Sequence, residues 1–261
     1  MVAAVTIPTK TLGACGILLL TAAACAPLRV KGQAGYTQTA VSGKMALESG
    51  SGSGSPQQFQ DIESAFGLGD EQGSPWVRAQ VDFGVPVLTA SAFWLKESGT
   101  GVLDENFGGL PTATPVVSDL DLGCGKFSCT FDIELGPVTL APGLAVDVFD
   151  LDFRVTEISL GNSEEIDEIL AVPMAFLRAE ASLDVLGFVA EVGYLDSPEI
   201  EGNEGKFLDV EAMIECAVLE HGSLVAGYRL LDLDANGEAN EDSFAIDLQI
   251  RGWFIGGGIR F

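Results

Sequence analysis

Over most of this chain, apolar and polar residues trade places at every second position, and no other feature restricts its fold as much. WVRAQVDF (76–83) sets Val77, Ala79, Val81 and Phe83 against Arg78, Gln80 and Asp82. KFSCTFDIEL (126–135), VFDLDFRV (148–155), MAFLRAEASL (174–183) and LDVEAMIECAV (208–218) repeat the pattern. A period of two is that of an extended strand with two unlike faces. After residue 35 no run approaches the ~20 apolar residues of a membrane-spanning helix, so none is expected. The reading is all-β, with about ten strands near 36–47, 75–84, 86–98, 116–135, 143–159, 172–183, 187–197, 207–219, 223–233 and 243–261. Eight strands is the alternative.

The connectors alternate as well. The joins near FGVP, LGPVTLAPG, DVLG and EHG are short. Those at 48–74, 99–115, 160–171, 198–206 and 234–242 are mostly longer and rich in Gly, Ser, Asn, Asp and Glu. Short turns at one end and long polar loops at the other describe an up-and-down antiparallel transmembrane β-barrel. An even strand number puts both chain ends on the short-turn side. A soluble sandwich or a lipocalin-like barrel alternates too, with the apolar face inside instead of outside. Alternation by itself does not say which face is which.

Composition narrows the function. The formal net charge is −25, from 38 acidic and 13 basic residues, while mean hydropathy is +0.31. Such a chain offers no basic face to nucleic acid and no polybasic patch to anionic lipid. Its hydropathy is too high for a disordered polyanion.

The first 25 residues read as a targeting segment: Lys10, then the short apolar run LGACGILLLTAAA, then Cys25. TAAAC resembles a bacterial lipobox, which would make Cys25 a lipidated N-terminus. An ordinary signal peptide cleaved nearby is the other reading. Either implies export, with 26–35 as a linker and 36–261 as the barrel. Of the remaining cysteines, Cys124 and Cys129 stand ~16 Å apart on one extended strand, too far for a disulfide. Free thiols at Cys124, Cys129 and Cys216 are expected.

The chain ends RGWFIGGGIRF, with large residues at Trp253, Ile255, Ile259 and Phe261. This resembles the C-terminal signature of Gram-negative outer-membrane β-barrels. GYRLLDLD, a polar loop and IDLQIRGWFIGGGIRF together look like the final hairpin of small barrels of the outer-membrane protein A and W type. The resemblance implies an outer-membrane location with a periplasmic N-terminus, assembly by the barrel-assembly machinery reading the last strand, contact with outer-membrane lipids, and a monomer. The alternation slips within that strand. Phe244, Ile246, Leu248 and Ile250 are even, whereas Trp253 to Phe261 are odd, which predicts a β-bulge near Arg251–Gly252.

The polar faces supply the candidate chemistry. Arg78, Asp82, Lys126, Asp132, Glu134, Asp150, Asp152, Arg154, Arg178, Glu180, Glu191, Asp209, Glu211, Glu215 and Arg229 are expected to point into the lumen. There they form either a salt-bridged filling or a narrow, cation-preferring pore. DLDANGEANED (232–242) matches a calcium loop in part, with Asp232, Asp234, Asn236 and Asp242 as oxygen ligands for weak Ca²⁺ binding. A plain hairpin loop turning at Asn236–Gly237 is the alternative. The one histidine, His221, falls in a short turn, away from the outer surface where a barrel enzyme would work. The reading is therefore a non-catalytic barrel with a structural, adhesive or narrow-pore role. Its alternatives are a soluble periplasmic lipoprotein barrel binding a small hydrophobic ligand, and an outer-leaflet lipid-modifying enzyme.

Overall fold

A computed structural model gives the fold of residues 28–48, 58–200, 203–239 and 242–261. The chain forms a closed barrel of ten long antiparallel strands, with two short strands and one short helix attached. In chain order these are β1 (Arg29–Glu48), β2 (Gln60–Asp61), α1 (Ile62–Phe66), β3 (Gln72–Asp82), β4 (Val87–Val102), β5 (Pro115–Thr130), β6 (Ile133–Leu135), β7 (Val138–Glu157), β8 (Ser163–Leu183), β9 (Leu186–Ile200), β10 (Asn203–Ala217), β11 (Gly222–Ala239) and β12 (Asp242–Arg260). Each barrel strand pairs with its sequence neighbour; β2 pairs with β1 and β6 with β7. No helix among the described residues is long and apolar enough to cross a membrane.

Closure comes from β1 and β12, paired without interruption from Lys31↔Arg260 to Glu48↔Ser243. Gly35 and Gly256 face each other at this seam. A Cβ on Gly35 would overlap the Ile255 carbonyl, and one on Gly256 the Ala34 carbonyl. The missing side chains let the first and last strands approach closely enough to close the ring. The start of β1 and the end of β12 lie together at the end of the barrel that carries the short turns, called here the lower end.

Three expectations are corrected. The first strand begins at Arg29, so most of the supposed 26–35 linker is strand. The loops expected at 160–171, 198–206 and 234–242 are shortened, because the strands continue into them: β7 reaches Glu157 and β8 begins at Ser163, β9 reaches Ile200 and β10 begins at Asn203, β11 reaches Ala239 and β12 begins at Asp242. The bulge at Arg251–Gly252 is absent: β12 keeps one register with β1 and one with β11 along its length. A register shift occurs instead in β10, between Asn203 and Gly205.

The slip in β12 has a different cause. From Ile246 to Ile259 its even residues point inward and its odd residues outward. What changes along the strand is which face is apolar. In the upper part Ile246, Leu248 and Ile250 are buried inside, with Asp247 and Arg251 outside. In the lower part Trp253, Ile255 and Ile259 are exposed outside. The other strands make the same exchange. β7 carries Leu144 and Val148 outside low down, then Asp150, Asp152 and Arg154 outside higher up, opposite buried Phe149, Phe153 and Val155. On β9, Phe188, Val192 and Tyr194 give way to Asp196. On β4, Trp94 gives way to Lys96, and on β1, Tyr36 gives way to Gln38. All three tyrosines (Tyr36, Tyr194, Tyr228), with Trp94 and Trp253, stand on the outer surface at or just below this change.

Candidate functional site

The barrel therefore has two zones, and each is filled by what its outer wall lacks. The upper zone holds an apolar core. Phe66, Phe107 and Phe153 meet edge to face, with ring centroids 5.1–6.1 Å apart. Trp76 stacks on Phe254 at 4.5 Å. Helix α1 enters this core from the first long join, burying Ile62, Ala65 and Phe66. Asp61 caps it, its Oδ1 accepting from the Ser64 N–H at 3.0 Å, and Gly67 ends it with φ +69°. The Gly69 and Asp70 N–H groups donate to Glu97 Oε1, both at 2.8 Å, tying the helix to β4. Gly99 and Gly101 of β4 make room for it, since a Cβ on either would overlap a carbonyl oxygen of the α1 segment.

The lower zone holds an ionic layer. Arg78 donates to Glu191 through both terminal nitrogens and to Glu211 Oε1 at 2.9 Å. Lys126 lies 3.0 Å from Glu191 Oε2, 3.0 Å from Asp209 Oδ2 and 3.6 Å from Glu211 Oε2. Arg229 grips Asp209 with Nε and Nη2, both at 3.1 Å, and reaches Asp147 Oδ2 at 3.3 Å. Its guanidinium lies over the Phe93 ring, 5.4 Å from the centroid. All seven of these side chains are buried. Arg178, also buried, binds Asp132 at 2.8 Å and Glu180 at 3.3 Å nearer the lower mouth. Lys31 and Glu215 pair lower still. Charges taken out of water persist only when each finds partners, and here they share them.

Of the residues assigned to the lumen from sequence, Arg78, Lys126, Arg178, Glu180, Glu191, Asp209, Glu211, Glu215 and Arg229 lie inside. Asp82 and Asp132 are half-buried; Asp82 lies 3.9 Å from Arg29, and Asp132 holds Arg178. Glu134 is exposed on β6. Asp150, Asp152 and Arg154 correct the reading: they project from the outer wall of the upper zone, where Arg154 bonds Glu165 at 2.7 Å. Asp147 belongs to the ionic layer and was missed. It sits two residues below Phe149 on the inner face of β7, where the filling changes from ionic to apolar.

Where the two fillings meet, a cavity of about 10 Å³ remains between Thr37, Thr39, Trp76, Phe93, Arg229 and Phe254. It has room for about one water molecule. Stacked aromatic rings lie above it and shared ion pairs below it.

Asp232, Asp234 and Asn236 lie on β11, paired with Gln249, Asp247 and Ala245. They belong to a strand and not to a loop, and in an extended chain alternate residues are ~7 Å apart, too far to wrap one cation. The side chain of Asp242 lies outside the described residues, as does Cys25 with the whole targeting segment. His221 is exposed in the lower turn, 4.0 Å from Glu220 Oε1, with its ring stacked on Phe261 at 6.3 Å. Cys124, Cys129 and Cys216 are free thiols.

No family model matches the chain, and no curated protein sequence does. Several solved structures are similar to it. The attachment invasion locus protein Ail of Yersinia pestis, in complex with the heparin analogue sucrose octasulfate, is 12% identical, with 90% of this chain and 100% of that chain covered and a TM-score of 0.41. The outer membrane protease OmpT of Escherichia coli is 7% identical, with 90% and 96% covered and a TM-score of 0.49. The translocator domain of the autotransporter NalP of Neisseria meningitidis is 13% identical, with 97% and 95% covered and a TM-score of 0.43.

Proposed function

We propose that this chain is an outer-membrane barrel that neither conducts nor catalyses, and that its working surface is the acidic wall standing above the membrane, in a structural or adhesive role. The observation that supports this best is the exchange of polarity, made at a similar level on strand after strand. Below it the outward face is apolar for about nine residues, as from Trp253 to Phe261. That is the length a tilted strand needs to cross a hydrocarbon layer of ~30 Å. Tyr and Trp stand near its upper edge, as at a membrane interface. Above it most of the strands run on for about eight to ten residues, or ~26–33 Å of strand at ~3.3 Å each. The packed interior favours the structural or adhesive role over the narrow pore.

In this reading the termini face the periplasm, Cys25 carries the lipid anchor, the barrel-assembly machinery reads Trp253, Ile255, Ile259 and Phe261, and the barrel is a monomer without Ca²⁺. Planar-bilayer recording of the refolded protein tests the central claim. The expected result is no step conductance, together with heat-modifiable gel mobility and resistance to alkaline extraction of membranes. Stable unitary conductance would replace the reading with a pore, and release by alkali would replace it with a soluble barrel. Incorporation of labelled palmitate, lost in Cys25→Ala, tests the anchor.

A further inference from the structure

The barrel wall is not continuous. β8 and β9 pair only from Leu183↔Leu186 up to Ala175↔Tyr194. Above that level β8 continues to Ser163 paired with β7, and β9 continues to Ile200 paired with β10. The two strands part, and among the described residues neither edge pairs with another strand there. Leu170, although on the inward face of β8, is 41% exposed at this gap.

The sequence explains the parting. The Ser182 N–H donates to the Pro137 carbonyl on the β7 side. β7 and β8 keep one register to Thr156↔Ser163, so backbone direction alternates without a break. Even residues of β8 therefore turn their N–H and C=O toward β7, and odd residues turn theirs toward β9. The next pairs after Ala175↔Tyr194 would be 173 with 196 and 171 with 198. Position 173 is proline, and so is 198. Each ladder position loses one of its two donors, so the zipper stops. Above Pro173 the edge regains donors: the N–H groups of Glu165, Asp167, Ile169 and Ala171 point into the gap with their carbonyls. Their side chains stand on the outer wall, acidic at the top and apolar below, with Ile169 71% exposed.

We propose that this edge of β8, from Glu165 to Ala171, takes an extended basic polypeptide segment from outside as an added strand. Only a strand presents donors and acceptors at the alternating spacing this edge offers. Cross-strand Lys or Arg would meet Asp167, and Glu165 beside the Arg154 it already bonds. A second copy of this chain is disfavoured because it would bring acid against acid. Glu165, Asp167 and Pro173 also make the edge poor for self-pairing, leaving it selective for a chain of opposite charge. The proposal rests on the surface reading above for where the partner comes from, but conductance and extraction decide that reading and not this one.

The test uses the full-length barrel in nanodiscs and a twelve-residue peptide of alternating Lys and Val. Amides of Glu165, Asp167, Ile169 and Ala171 are expected to exchange at least 100-fold faster than those of Ile166 and Glu168, and to slow at least 10-fold with saturating peptide. Ile169→Pro removes one edge donor without touching the β7 ladder. It is expected to keep heat-modifiable mobility and weaken peptide binding at least 10-fold. An alternating Lys–Pro peptide of equal charge is expected not to protect these amides. Slow exchange without peptide, equal protection by the Lys–Pro peptide, or unchanged binding to a folded Ile169→Pro barrel would each overturn the proposal.

Discussion

Lys126→Met should be among the most damaging single changes in the ionic layer. The ammonium lies 3.0 Å from two carboxylates and 3.6 Å from a third, and is 2% exposed. At an effective dielectric of ~20, each contact at 3.0 Å is worth about 5 kcal/mol of attraction, before the cost of removing both ions from water. That cost cancels much of the gain, so what the mutation reports is the state left behind. Glu191, Asp209 and Glu211 would share two guanidinium groups and no ammonium. Breaking a buried pair by removing one partner costs about 3–5 kcal/mol, and three dependent carboxylates put Lys126 at the upper end. Lys96→Met is the matched control. Lys96 pairs with Asp121 on the outer wall, with side chains 72% and 47% exposed, and such pairs contribute about 0–1 kcal/mol. Urea unfolding of both variants in the same micelles, read by tryptophan fluorescence, gives the comparison. A loss for Lys126→Met within 1 kcal/mol of that for Lys96→Met would refute the reasoning, because it would mean that water reaches the layer and screens it.

Further outcomes follow from the two zones. Ile255→Lys, inside the belt, should cost about 2–4 kcal/mol of bilayer-inserted stability. Gln249→Lys, two turns of alternation above Trp253, should be near neutral; equal effects would misplace the membrane boundary. Gly101→Val should push α1 out of the upper core, costing about 1–3 kcal/mol by overpacking and speeding exchange of residues 62–68 while the lower strands stay protected. Asp61→Ala should weaken the α1 cap by about 1 kcal/mol, seen as roughly 5-fold faster exchange there. The Ser64 backbone N–H holds the Asp61 carboxyl below its ordinary 3.8. A carboxyl depressed on folding adds stability above its unfolded pKa and loses it as pH falls through the folded value. Protection of the Ser64 amide, relative to its intrinsic exchange rate at each pH, should therefore fall in acid below about pH 4, whereas an Asp61→Asn cap should show no such step.

The number and order of the long strands were legible because each stretch alternates cleanly enough to be extended chain and nothing else. Their upper ends were not. Above the belt the alternation continues while the apolar and polar faces change places, and Gly, Asp and Asn there look like loop residues although the ladder holds them. The same exchange misplaced Asp150, Asp152 and Arg154. Alternation says that they oppose Phe149, Leu151 and Phe153, but not which set meets solvent. Treating every polar face as lumen is right for Arg78, Lys126 and Glu191, which lie below the change of polarity, and wrong for β7 above it. The odd-after-even phase of β12 was the one direct sign of the exchange. A bulge was the alternative explanation, and only the unbroken pairing on both sides of β12 separates them.

The acidic upper wall also gives the barrel a history that its final state conceals. In the proposed membrane placement, Asp150 and Asp152 on β7, Asp232 and Asp234 on β11 and Asp247 on β12 end up on the side away from the start of β1 and the end of β12. Each must cross the hydrocarbon before the belt below it can settle there. An ionised side chain at the midplane costs roughly 2.5–3.5 kcal/mol on insertion scales, and these cross in hairpins, several at a time. Entry unaided into an intact bilayer is therefore slow, and exit is slower still, because leaving repeats that crossing and also strips the belt of its lipid. The lifetime of the inserted barrel is then set by this barrier more than by the depth of its free-energy minimum.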